Sequence, residues 1–147
     1  MKGYRVRPVW PGIALFALVM VPNILWEIFL SGDILHQPSV TPGLDAVMTV
    51  CQWLFVAALC LIGSDKAWTL PGVRGWDMGA GASLALYWAC WMWYFGGLDA
   101  WPVLLGLTVF PCAALLLFTV GRRNWIAFVP GCCFAALHLC RFWGNYM

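Results

Sequence analysis

The chain has 147 residues, 63% of them hydrophobic and only 10% charged, with a formal net charge of +2 and a mean hydropathy of +0.83. A soluble domain carries about 25% charged residues, so this chain lacks the groups to cover a water-exposed surface, and a lipid bilayer is its expected surroundings. With no basic run and no acidic tail, nucleic acid is excluded as a partner.

Apolar runs separated by turn formers predict five membrane-spanning helices. The first covers residues 9–30, with Pro11 in its opening turn, where the missing N–H costs nothing. Lys2, Arg5 and Arg7 precede it. Its apolar stretch exceeds the ~7–15 residues of a signal-peptide core and no A-x-A-like cleavage site follows, so it reads as a retained span. The second, third, fourth and fifth spans cover 45–63, 77–97, 103–120 and 125–144. Between them lie SGDILHQPSVTPGL, SDKAWTLPGVRGW, LDAWP and GRRN. Only helices or closed barrels satisfy their backbones in lipid, and runs this long without period-two alternation exclude the barrel. The expected fold is therefore an all-α integral membrane protein, a single five-helix transmembrane domain over residues 1–147.

The cations orient this bundle. Lys2, Arg5, Arg7, Lys66, Arg74, Arg122 and Arg123 all fall in segments on one side of the alternation. The positive-inside rule makes that side cytoplasmic. The N-terminus is then inside, the C-terminus outside, and the expected location is the cytoplasmic (inner) membrane.

Polar residues within the spans gather towards the outer side. At a rise of ~1.5 Å per residue, Arg141 lies roughly 24 Å along from Trp125 and His138 roughly 20 Å. Glu27 lies about 27 Å from Val9, and Asn23 about 21 Å. Gln52 is about 10 Å into a span that enters from outside. Asn23 and Glu27 are four apart and expected on one face, and an inward, mutual pairing of Glu27 with Arg141 is one reading. The alternative is that both snorkel towards the interface. Pro22 removes the hydrogen bond to the Leu18 carbonyl, and a kink is expected there. On the third span Tyr87, Trp91 and Tyr94 form one aromatic stripe, whereas Trp88 and Trp93 suit an interfacial belt. Gly79 to Ser83 (GAGAS) lie below the stripe. Such small residues allow close helix approach, which predicts a bundle tight on the inner side and wider on the outer.

Seven cysteines lie in apolar segments without a C-x-x-C pair and read as packing residues. H-E-x-x-H, G-x-S-x-G and P-loop patterns are absent. Only two histidines exist, and His36 falls in an outer loop, so bis-histidine haem ligation across the membrane is not expected. Neither a metal nor a cofactor is expected. In length, span count and its eleven tryptophans the chain resembles the translocator-protein (tryptophan-rich sensory protein) family in outline. The segment HQPSVTPG lacks the tryptophans of that family's signature, so no site residue is carried over from it.

The first functional reading is binding or transport of a small amphipathic, aromatic or lipid-like ligand in a pocket open to the outer side. Asn23, Glu27, Gln52, Tyr87, Trp91, Tyr94, His138 and Arg141 would line it, as apolar walls with a few convergent polar groups do in small-molecule sites. The second is a non-catalytic subunit of a larger membrane complex or homo-oligomer, whose polar groups pair with neighbouring helices. The third is an intramembrane lipid-modifying enzyme, with His138 or Glu27 as general base and Arg141 as phosphate clamp. The residues favour a non-enzyme without deciding the point.

Overall fold

The computed structural model describes residues 3–30, 42–65 and 73–146. It contains five long helices: α1 (Trp10–Phe29), α2 (Pro42–Leu61), α3 (Val73–Phe95), α4 (Trp101–Gly121) and α5 (Trp125–Tyr146). Two three-residue strands, β1 (Tyr4–Val6) and β2 (Ile62–Ser64), pair antiparallel with Arg5 opposite Gly63. Lys2, Lys66, His36 and most of the first outer loop lie outside the described residues.

Four helices, α1, α2, α4 and α5, are long and apolar enough to cross a membrane. The third is long enough but less apolar. Its first half carries Arg74, Asp77 and three glycines, and its second half is built of Trp and Tyr, whose polar tips lower hydropathy without making the rings less apolar to pack.

Most of α4 is buried, whereas less than a quarter of α1, α2 or α5 is. The chain order of packing explains this. α3 and α4 form an antiparallel hairpin across a short turn, α4 and α5 form another, and α2 lies along α5. α1 then packs more lightly against α2, α3 and α4. Its inward stripe runs Gly12, Val19, Asn23 and Trp26. Gly12 is required where α1 approaches α2, because an added Cβ would sit 2.7 Å from the Leu59 carbonyl oxygen, which is backbone and cannot yield.

Both helix hairpins turn through the same hydrogen-bond pattern. After α3, the Leu98 N–H bonds the Trp93 carbonyl and the Gly97 N–H that of Tyr94. After α4, the Asn124 N–H bonds the Thr119 carbonyl and the Arg123 N–H that of Val120. Each is a Schellman closure with its C′ residue left-handed: Gly97 at φ 88° and Arg123 at φ 49°.

The expected span 45–63 ends two residues early. The reason is β1: residues 62–64 pair with 4–6 instead of completing another helical turn. The Arg7 and Val9 N–H groups go on to bond the Leu61 and Cys60 carbonyls at 2.9 and 2.8 Å. Those are carbonyls that a helix C-terminus leaves without internal donors. The third helix starts at Val73 rather than 77, so Arg74 belongs to its first turn.

These contacts gather β1, the end of α2, the start of α3 and the α4–α5 turn at one end of the bundle. This basic end carries Arg5, Arg7, Arg122 and Arg123. Asn124 locks it: Nδ2 donates to the Ala58 and Ile62 carbonyls at 3.1 and 2.8 Å, and Oδ1 accepts from the Ala127 N–H at 3.2 Å. One buried side chain thus caps the start of α5 and serves the end of α2. The opposite, far end carries the α3–α4 turn, the start of α2 and the end of α5.

Candidate functional site

Pro22 decides how α1 meets α3. It lacks the N–H that would bond the Leu18 carbonyl, and Trp88 Nε1 of α3 donates to that carbonyl at 3.2 Å. Trp88, expected in an interfacial belt, thus supplies from α3 a donor for the carbonyl that Pro22 leaves unserved in α1. One residue further on, the Val19 carbonyl accepts from Asn23 Nδ2 at 2.8 Å and from the Tyr87 hydroxyl at 3.0 Å. Asn23 Nδ2 also donates to the Tyr87 oxygen at 2.6 Å. Tyr87 is 1% exposed, so this polar knot is sealed within the bundle.

Around it all five helices border one cavity of about 120 Å³. Asn23 comes from α1, Gln52 from α2, Tyr87 from α3, Cys112 from α4 and His138 from α5, with Phe55 and Phe134 among the apolar walls. A second cavity of about 250 Å³ lies nearer the far end, bordered by Trp26, Trp91, Thr108, His138 and Arg141. His138 borders both. Its ring stacks on Phe134, with centroids 5.2 Å apart and planes 18° from parallel. Its Nδ1 is shielded from solvent and has no hydrogen-bond partner among the described residues. A buried ring nitrogen without a partner is costly, so this atom is a natural point for a ligand to satisfy.

Of the eight expected site residues, Asn23, Gln52, Tyr87 and His138 therefore border the deeper cavity, and Trp91, His138 and Arg141 the outer one. Tyr94 is buried edge-on against Trp91 at 5.6 Å and joins neither lining. Glu27 is exposed at the far end of α1. The inward stripe of α1 continues from Asn23 to Trp26, three residues on, which turns Glu27 away from that face. Arg141 faces Asp45 of α2, with Nε 3.5 Å from Oδ1, rather than forming the expected pair with Glu27.

The expectation of a bundle tight on the inner side and wide on the outer is also corrected. Gly79 does approach α4, where an added Cβ would lie 3.3 Å from Leu117 Cδ1. Yet a cavity of about 400 Å³ opens at the basic end, bordered by Arg7, Trp10, Ser64, Phe118, Arg122 and Asn124 among others. It exceeds either of the other two. Sequence reasoning missed it because it forms between the N-terminal segment and α4, which are remote in the chain. Asn124 was the readable part: Asn immediately before an apolar run is a helix-start signal. Among the described residues no group of three or more His, Cys, Asp or Glu side chains is arranged to hold a metal ion.

Comparison of the chain with protein-family models, with curated proteins and with solved structures gives no match.

Proposed function

We propose that all five helices cross a membrane, with the basic end cytoplasmic, and that the two cavities bordered by His138 bind a small amphipathic ligand entering from the outer side. The topology is supported by the gathering of Arg5, Arg7, Arg122 and Arg123 at one end, as the positive-inside rule requires. Lipid then solvates large exposed side chains such as Trp53, Ile28 and Val129, and α3 spans as the hairpin partner of the apolar α4.

The observation that carries the ligand reading is His138, which borders both cavities and whose Nδ1 is shielded and has no hydrogen-bond partner among the described residues. Their volumes of about 120 and 250 Å³ together reach the lower end of the ~300–1,000 Å³ range of small-molecule sites. Trp26 and Trp91 give the larger of these two cavities aromatic walls that suit a planar apolar group, and Arg141 offers charge-assisted hydrogen bonds to an anionic one. The ligand class is thus a compact amphiphilic anion. A subunit whose polar groups met a partner's helices would carry them on its outward faces. Asn23, Gln52, Tyr87 and His138 instead border an internal space, which favours a pocket.

The test is thermal unfolding of the purified protein in neutral detergent, titrated with naphthalene-2-sulfonate. Saturable stabilisation is expected, weakened at least tenfold in apparent affinity by Arg141→Gln and abolished by His138→Phe, which removes Nδ1. Equal stabilisation of wild type and both variants would mean that the probe acts through the micelle and would defeat the proposal.

A further inference from the structure

The large cavity at the basic end has no part in the ligand reading above, yet it carries more arginines than either far-end cavity. Two guanidinium groups border it, Arg7 from the segment between β1 and α1 and Arg122 from the end of α4. Arg122 Nη2 donates to Asp77 Oδ2 at 3.3 Å, and its guanidinium lies 5.0 Å from the centroid of the Phe118 ring. The arginine is thereby held by an acid on one side and an aromatic face on another, at the cavity wall. Arg7 has no acidic partner among the described residues.

Arg7 is also held in place. A Cβ built on buried Gly63 would come within 2.6 Å of Arg7 Nε and 3.3 Å of Nη2. The exposed Arg7 side chain therefore crosses close over the β2 backbone, in space that only glycine leaves open. Ser64 and Asn124 also border the cavity, and much of its wall is apolar, with Val9, Leu59 and Phe118. At the mouth stands Trp10, 73% exposed, a residue type that favours the headgroup level of a bilayer.

We infer that this cavity is a binding site for one anionic phospholipid of the cytoplasmic leaflet, its phosphate held by Arg7 and Arg122 and its glycerol and upper acyl carbons lying on the apolar wall. Arginine binds phosphate oxygens through paired, charge-assisted hydrogen bonds. Basic pockets between helices on the cytoplasmic side suit such headgroups. The volume of about 400 Å³ accommodates a headgroup with the first carbons of its chains, and the apolar wall favours an amphiphile over free phosphate. The inference rests on the proposed membrane orientation but not on the far-end cavities.

The experiment is native mass spectrometry of the whole protein released from nanodiscs of phosphatidylcholine doped with phosphatidylglycerol. Wild type is expected to retain one phosphatidylglycerol in preference to phosphatidylcholine. Arg7→Gln removes one cation and is expected to lower that preference about fivefold. Gly63→Ala keeps the charge but displaces the guanidinium, a flexible group that moves at little folding cost, and is expected to lower it as well. Arg5→Gln makes the same charge change at the same end. Because Arg5 pairs with exposed Asp65 at 3.0 Å, outside the cavity lining, this variant should retain the lipid as wild type does. Equal losses in Arg5→Gln and Arg7→Gln would reduce the effect to diffuse surface charge and overturn the site, as would absence of preference in wild type. Displacement of the lipid by sn-glycerol 3-phosphate at equal concentration would overturn the amphiphile and leave a phosphate site. Naphthalene-2-sulfonate binding, expected unchanged in Arg7→Gln, keeps this outcome separate from that of the far-end cavities.

Discussion

At the basic end the bundle is tied by backbone pairing of β1 with β2, by Asn124 between α2 and α5, and by Tyr4, whose hydroxyl donates to the Arg123 carbonyl at 3.1 Å. At the far end the corresponding described ties are the 3.5 Å Arg141–Asp45 pair and ring contacts such as Trp101 with Phe142. The first set consists largely of short hydrogen bonds to main chain, several from buried groups. The second is a part-exposed ion pair and the edges of aromatic rings. Ion pairs at such sites contribute about 0–1 kcal/mol, whereas a buried hydrogen bond lost from one side leaves its partner stranded at about 1–3 kcal/mol. Of the two sets of described ties, the one at the basic end is therefore the stronger, and the proposed ligand would enter at the end that carries the weaker set. Binding regions are commonly drawn from the less stable parts of a fold.

The sharpest way to break this contrast is Asn124→Ala. It removes the α5 cap and the donor to the Ala58 and Ile62 carbonyls, and is expected to cost about 2–4 kcal/mol in reversible unfolding in mixed micelles. A loss below about 1 kcal/mol would mean that water or lipid substitutes freely and that the basic end is no anchor. Arg123→Gly acts at the same end with the opposite sign. A left-handed non-glycine residue costs about 1–2 kcal/mol, so glycine at the φ 49° position is expected to raise stability by about 1 kcal/mol in the same assay, after its own unfolded-state entropy is offset. At the far end Arg141→Gln is expected to change unfolding by less than about 0.5 kcal/mol, although it weakens naphthalene-2-sulfonate binding. A large stability loss there would make the Arg141–Asp45 pair a structural clamp and erase the distinction between the ends.

The helices were legible because apolar runs of about 20 residues have few other uses, and their boundaries agree with the described ones to within a few residues. Helical spacing on α3 also put Tyr87, Trp91 and Tyr94 on one aromatic stripe, and all three are buried. Glu27 was misjudged because four-residue spacing from Asn23 names two adjacent stripes, and Trp26 occupies the inward one. The polar knot of Asn23 and Tyr87 depends on a meeting of α1 with α3 that no local pattern encodes. Still less visible was the pairing of residues 4–6 with 62–64. Those short polar segments lack strand periodicity, and they pair because helix ends bring them together. The basic-end cavity follows from that pairing, which is why its arginines were counted for orientation alone.

Asn124 also constrains the order in which the molecule can be completed. The carbonyls of Ala58 and Ile62 are made early in synthesis, but their side-chain donor emerges from the ribosome more than sixty residues later, after two further helices. Until then the Ala58 and Ile62 carbonyls lack this donor, although the Arg7 and Val9 N–H groups can already serve the neighbouring Leu61 and Cys60 carbonyls. A nascent chain stopped before this asparagine would hold its first two helices side by side without their final latch, so closure of the assembly belongs to the last helix to arrive.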